Sequence, residues 1–199
     1  DNVMVSTGGK QVLFNAFMAS LDEGDEVIIP APYWVSYPEM VAMADGTSVI
    51  VECPEDENFK LTPAKLEKAI TDKTKWLILN SPSNPTGMAY SADELKALAD
   101  VLRKHPHVYI LSDDIYEHLT YDGFKFDTLA AVAPDLKDRT LTMNGVSKAY
   151  SMTGWRIGFV IGNELIVKGF AAVKDNIDSG QFAAIQKAAA YALSHPEIT

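Results

Sequence analysis

The chain has 199 residues, 47% hydrophobic, 22% charged and 10% aromatic, a globular composition long enough to bury one sizeable core and neither disordered nor fibrous. Seventeen Lys and Arg against 27 Asp and Glu leave a formal charge of −10, which disfavours nucleic-acid phosphate and anionic membrane surface as partners. The single cysteine, Cys53, excludes an internal disulfide framework and any multi-cysteine metal site, and no 18-residue apolar run or signal-like start occurs, so the cytoplasm is the expected compartment.

The start, Asp1-Asn2-Val3-Met4, lacks an initiator Met and runs straight into a core-like segment, from which we expect a domain of a longer protein. Gly8-Gly9-Lys10 then opens an apolar helix over 10–21, followed by a β-rich run over 26–29. A helix over 34–44, a strand over 47–51, a helix over 63–70 and a strand over 76–80 continue the alternation. Ser91 reads as the N-cap of a helix over 92–104, with Glu94 at the capping-box position. Strands follow over 108–112, 140–144 and 156–161, and helices over 164–176 and 181–193, closed by the stop Ser194-His195-Pro196-Glu197. Such alternation predicts a three-layer α/β/α fold with a mostly parallel sheet. With no internal repeat and no Pro/Gly/Ser linker, residues 1–199 form one domain.

In open α/β sheets, ligands bind beyond the carboxyl ends of the strands. Asn84 follows the strand over 76–80, Asp113 ends the next, and Lys148 follows the strand over 140–144, so three strand ends point to one site. The motifs G-x-G-x-x-G, G-x-x-x-x-G-K-[ST] and H-E-x-x-H are missing, which leaves dinucleotide, P-loop and zincin readings without their defining residues. Gly145-Val146-Ser147-Lys148-Ala149 falls one residue short of a nucleophile elbow, and His105-Pro106-His107 reads as a solvated turn rather than a metal site; no metal is expected. Adjacent strand residues face opposite ways, so of Asp113-Asp114 one carboxylate reaches the crevice.

Ser81-Pro82-Ser83-Asn84-Pro85-Thr86-Gly87, Ser112-Asp113-Asp114-Ile115-Tyr116-Glu117, Asn144-Gly145-Val146-Ser147-Lys148 and Met152-Thr153-Gly154-Trp155-Arg156-Ile157-Gly158 together resemble, in order and spacing, the class I, fold type I, pyridoxal-phosphate-dependent aminotransferases. Singly these are modest signals. Their conjunction is specific and spans the chain. Gly8-Gly9-Lys10-Gln11 and Ala31-Pro32-Tyr33-Trp34-Val35-Ser36-Tyr37-Pro38-Glu39 look like the bacterial aspartate aminotransferase subgroup.

The resemblance implies a role for each residue. Lys148 is the amine that condenses with the cofactor aldehyde and later shuttles a proton, as general acid and base, between the substrate α-carbon and the cofactor C4′. Asp113 holds the ring nitrogen protonated, its alternative being a cap on the next turn. Tyr116, three residues on, faces the same crevice if a helical turn starts there, and with Asn84 it binds the phenolic oxygen. Arg156 grips the phosphate, or else pairs with a surface acid. Gly8 and Gly9 let backbone N–H groups at a helix start cradle the same phosphate. Trp34 stacks on the ring, against the alternative of core packing, whereas Trp76 and Trp155 read as structural. Lys10 is either solvated or the cation that meets the distal carboxylate of an acidic substrate. Trp34 and Asn84 also contact the substrate. One departure stands out. Many members carry Ser where this chain has Gly145, which leaves Ser147 as the nearby hydroxyl, or makes room there for the loop backbone.

The family's N-terminal arm and its C-terminal small domain, with the Arg that clamps the α-carboxylate, are not in these residues; past Arg156 the basic residues are Lys168, Lys174 and Lys187. The resemblance therefore implies the large, cofactor-binding domain of a homodimeric enzyme that transaminates aspartate with 2-oxoglutarate in amino-acid metabolism. This chain alone is expected to turn over substrate poorly or not at all. Two rivals stand beside it: an aromatic or prephenate aminotransferase or carbon–sulfur lyase on the same fold, and a non-catalytic aminotransferase-like regulatory module.

Overall fold

The computed structural model describes residues 2–195 and Glu197. Seven strands form one sheet: β1 (Val3–Ser6), β2 (Glu26–Ala31), β3 (Thr47–Glu52), β4 (Thr74–Asn80), β5 (Tyr109–Asp113), β6 (Thr140–Gly145) and β7 (Gly158–Ile161), in the spatial order β1-β7-β6-β5-β4-β2-β3. The pairs β2/β3, β2/β4, β4/β5 and β5/β6 are parallel, and β7 runs antiparallel to both β1 and β6. The mostly parallel sheet is thus as expected, with β7 the one reversed strand. Short β1 carries only four residues, too few for an alternation to register in the sequence, and owes its strand state to pairing with β7.

Seven α-helices accompany the sheet among the described residues: α1 (Gly9–Met18), α2 (Ser36–Met43), α3 (Pro63–Ala69), α4 (Ala92–Leu102), α5 (Leu129–Val132), α6 (Glu164–Lys174) and α7 (Ala183–Leu193). Period-two alternation along the central strands sorts their side chains onto two faces. Val27, Ile29, Trp76, Ile78 and Leu111 join Val12, Leu13 and Phe17 of α1, Met40 and Val41 of α2 and Phe170 of α6 in one core. Ile28, Leu77, Leu79 and Ile110 join Leu66 of α3, Leu95, Leu98 and Leu102 of α4 and Leu129 of α5 in the other. Three layers follow directly. The Ser91–Glu94 capping box forms as the sequence predicts: Glu94 N–H donates to Ser91 Oγ at 3.3 Å and Ser91 N–H to Glu94 Oε2 at 2.7 Å.

Several predicted boundaries move. Helix α2 begins at Ser36, not 34, which leaves Trp34 in the turn ahead of it. Helix α7 begins at Ala183 rather than 181, because Gln181 is drawn onto Thr7. Strand β7 begins at Gly158, not 156, because Arg156 adopts a left-handed backbone (φ 55°) after a 3-10 turn over Thr153–Trp155. Trp155, read as structural, is 54% exposed, whereas Trp76 is 1% exposed and donates to Ser20 Oγ at 2.9 Å. In the predicted C-terminal stop, Ser194 caps α7, and Pro196 lies outside the described residues. No described helix is long and apolar enough to cross a membrane.

Candidate active site

A cavity of about 330 Å³ opens at the carboxyl ends of β4, β5 and β6. Its lining includes Gly9, Lys10, Trp34, Asn84, Asp113, Tyr116, Ser147, Lys148 and Arg156, which the sequence singled out, with Tyr37, Asn80 and Thr153, which it did not. Of the expected site residues only Gly8 is not in the lining. It sits directly behind the wall, and a Cβ there would come within 2.2 Å of Arg156 Nη2. Its φ of 81° also lies in the region that disfavours a side chain.

At the floor lies Asp113, the last residue of β5, 3% exposed. The Tyr37 hydroxyl donates to its Oδ2 at 2.6 Å and Ile115 N–H to its Oδ1 at 3.3 Å. Burial nevertheless dominates and pushes the carboxyl up to about 7, against the two hydrogen bonds that favour its charge. The Tyr37 hydroxyl is itself driven well above its usual value, first by burial and then by the carboxylate it faces. Asp114, next in the chain, is also buried, but outside the cavity lining, and accepts from Ser112 Oγ at 2.7 Å. Burial lifts it to about 6. One carboxyl at the crevice and one behind it is the predicted arrangement.

Tyr116 does face the cavity with Asp113, but on successive turns (Glu117 N–H to Asp114 O at 2.9 Å, Leu119 N–H to Tyr116 O at 2.8 Å) and not on a continuing helix. Lys148 Nζ stands 5.3 Å from the Tyr116 ring centroid. Trp34 packs edge-on to Tyr37, ring centroids 5.5 Å apart, and Lys10 Nζ lies 4.9 Å from the Trp34 ring. Asn84 is placed by Asn80, whose Oδ1 accepts from Asn84 N–H at 2.7 Å while its Nδ2 donates to the Asp113 carbonyl at 2.9 Å. Tyr37, Asn80 and Thr153 are polar lining residues that sequence reasoning passed over. Asn80 ends a strand aimed at the crevice, and Tyr37 stands three residues after Trp34, so strand-end position and helical spacing were the signals available.

The cavity lining also carries a guanidinium. Arg156 donates from Nη1 to the Thr153 carbonyl at 2.8 Å, which orients its guanidinium beside the 8–9 turn and the first turn of α1. A Cβ on Gly158 would lie 2.5 Å from Gly8 C and Gly9 N, so β7 presses its backbone against this turn. At Gly145 a Cβ would meet the Ile157 carbonyl at 2.8 Å and Gly158 Cα at 3.1 Å. Of the two readings of that Gly, room for the loop backbone is the one the geometry matches.

Fold and site define a doubly covered α/β domain whose strand-end cavity brings together a buried carboxyl, a guanidinium beside a glycine turn at a helix start, and an amine next to an aromatic ring. A family model described as aminotransferase class I and II matches residues 1–199. The probable aspartate/prephenate aminotransferase of Rickettsia felis is 59% identical over 197 residues, 99% of this chain and 48% of that protein. The aspartate aminotransferase of Rhizobium meliloti is 53% identical over 99% of this chain and 48% of its own length. Among solved structures, the Rhizobium meliloti enzyme superposes with a TM-score of 0.92, covering 96% of this chain and 48% of that one. The aspartate aminotransferase of Thermus thermophilus with maleate, 46% identical, gives the same score over 99% of this chain and 50% of that one. The chain belongs to the class I and II aminotransferase family, and it spans about half the length of the curated relatives it matches.

Proposed function

We propose that residues 1–199 are the pyridoxal-phosphate-binding large domain of an aminotransferase that moves the amino group of an acidic L-amino acid to a 2-oxo acid, aspartate and 2-oxoglutarate being the pair. The observation that carries this reading is the convergence of Asp113, Tyr116, Asn84, Lys148 and Arg156, from four separate segments, on one cavity that holds both a cation and a buried carboxyl. The residues fit the cofactor: a Cβ at Gly8 would fill the space beside the Arg156 guanidinium that an anion would need, and the buried Asp113, its carboxyl pushed up to about 7, lacks a cationic partner that a pyridinium would supply.

When bound, pyridoxal phosphate supplies the electron sink for the pair released as the substrate's α C–H bond breaks. Asp113, braced by Tyr37, holds a proton on the ring nitrogen. Arg156 and the N–H groups at the start of α1 bind the phosphate, the guanidinium by its bidentate fork. Trp34 covers one face of the ring, and Tyr116 and Asn84 donate to the phenolic oxygen. Lys148 would provide the amine that condenses with the aldehyde with loss of water and, set free when the substrate's amino group takes its place, would serve as the base and acid for the proton between the substrate α-carbon and C4′. Lys10, beside Trp34 at the cavity wall, meets the substrate's distal carboxylate. An acidic substrate is supported by the names of the relatives and by the maleate, a dicarboxylate, of the Thermus thermophilus structure. The prephenate in the names of several relatives favours that 2-oxo dicarboxylate as a second amino acceptor. Homodimerisation of the longer protein and a cytoplasmic setting go with this reading.

Absorbance titration with pyridoxal phosphate, borohydride reduction and peptide mapping test it. The expected result is one reduced adduct, on Lys148; label scattered over surface lysines would overturn the assignment. In the longer protein, Lys10→Ala is expected to lower kcat/KM for dicarboxylates more than for aromatic amino acids, and equal losses would remove the substrate assignment.

A further inference from the structure

The segment that follows α6 is tied by polar side chains to the turn that opens α1, more than 160 residues earlier. Gln11, in the first turn of α1, accepts on Oε1 from Thr7 N–H at 2.7 Å and donates from Nε2 to Asp178 Oδ2 at 2.8 Å. The other oxygen of Asp178 takes the Lys174 ammonium and Gly180 N–H, the latter at 2.8 Å. Lys174 is 7% exposed, so its charge has to be met inside the protein. The Gln181 side-chain amide lies 2.9 Å from the Thr7 hydroxyl. Thr7, Gln11 and Ile177 also line one open cavity together with Lys10 and Arg156, which puts the network on the flank of the proposed phosphate site.

An amide side chain can face either way, and only one orientation serves Thr7. With Oε1 toward Thr7 the N–H is satisfied; reversed, two donors would oppose each other. An ionised carboxylate only accepts, so Asp178 compels Gln11 to present its NH₂ to it and its oxygen to Thr7. The Lys174 ammonium is the largest influence that keeps Asp178 ionised, holding it down at about 2. Gly8, the residue of this turn with the least backbone restraint, packs against Arg156, and the side chains of Gln11 and Gln181 on Thr7 restrain the turn just ahead of it.

We propose that Asp178, acting through Gln11, is a positioning residue for the anion cradle formed by the 7–9 turn and the start of α1, and that it sets the affinity of the site for the phosphate group of its ligand. The inference rests on the proposed reading of the cavity. Asp178 touches no ligand; it orders the donors that do.

The test compares pyridoxal 5′-phosphate with pyridoxal, which lacks the phosphate, in absorbance titrations of the wild type, Asp178→Asn and Gln11→Leu, with inorganic phosphate as a competitor. Asparagine turns an NH₂ toward either Gln11 or the Lys174 and Gly180 donors, and leucine removes both bonds of the amide. Each variant is expected to bind pyridoxal phosphate and inorganic phosphate about tenfold more weakly while its affinity for pyridoxal is unchanged. Gln11 is half-buried at the surface and its replacement leaves the ion pair intact, so Gln11→Leu carries the test if Asp178→Asn does not fold. A loss shared equally by both ligands, or no loss, overturns the proposal. A wild type that does not prefer pyridoxal phosphate to pyridoxal overturns the reading of the cradle itself.

Discussion

Asp113 is held in a place where its charge is costly. Its carboxyl titrates near 7 when folded and at 3.8 in the open chain, so between these values the folded protein binds the extra proton. Stability of the ligand-free protein is therefore expected to fall as pH rises from about 4 to about 7, by an amount on the order of 4 kcal/mol, and to level off above that. Asp114, lifted to about 6 by burial, adds a loss of the same sign over a narrower range. Thermal melts of Asp113→Asn against wild type check this: the variant should gain on wild type as pH rises from 4 to 8, and a parallel pH dependence would argue against a buried carboxyl. Tyr37→Phe removes a donor that favours the charged form, so the midpoint of Asp113 should move up and the affinity for pyridoxal phosphate fall about tenfold. Asp113 was legible from the sequence because it ends a β-rich run. Tyr37 was not, because a tyrosine in an apolar helix looks the same whether or not its hydroxyl finds a carboxylate.

At the scale of elements, the caps and the glycines decide how sharply the site is built. Ser91→Ala removes one half of the capping box of α4, remote from the cavity, and is expected to cost about 1 kcal/mol, roughly 2–4 °C in Tm, with ligand affinity unchanged. Gly145→Ser should behave differently. It would place a hydroxyl at the end of β6, yet its Cβ would meet the Ile157 carbonyl and Gly158 Cα, and β7 would have to shift toward the 8–9 turn. A cost of about 1–3 kcal/mol with a weaker phosphate site is expected, read by melting and by titration with pyridoxal phosphate. The long helices and the four central parallel strands were readable, since their apolar periodicities are strong and their turns carry Gly, Pro and capping residues. Strand β1 and the true start of β7 were not. Four residues carry little pattern, and the left-handed Arg156 that delays β7 is held by the Thr153 carbonyl and the glycine turn it packs on, contacts with no local signature.

Across the whole molecule, the two apolar cores on either side of the sheet leave one more apolar surface open, a groove between β1, β7 and α7 lined by Val3, Ile161, Ala190 and Leu193. Val3 is 53% and Ile161 46% exposed, a large apolar cost for an isolated chain in water. Concentration-dependent association of the 199-residue chain is expected in light scattering, weakened by Ile161→Lys; a constant monomer mass would count against it. By itself the sequence determined the α/β layering, the family, and most of the polar residues that line the cavity, because periodicity and strand-end chemistry are local properties that a chain displays in order. Tertiary structure alone decided which neighbours those residues have: Tyr37 on Asp113, Asn80 under Asn84, Asp178 behind Gln11, and Gly158 against Gly8. Such contacts join positions 4 to 167 residues apart, and only the folded packing of one layer on the next fixes whether a buried polar atom finds its partner.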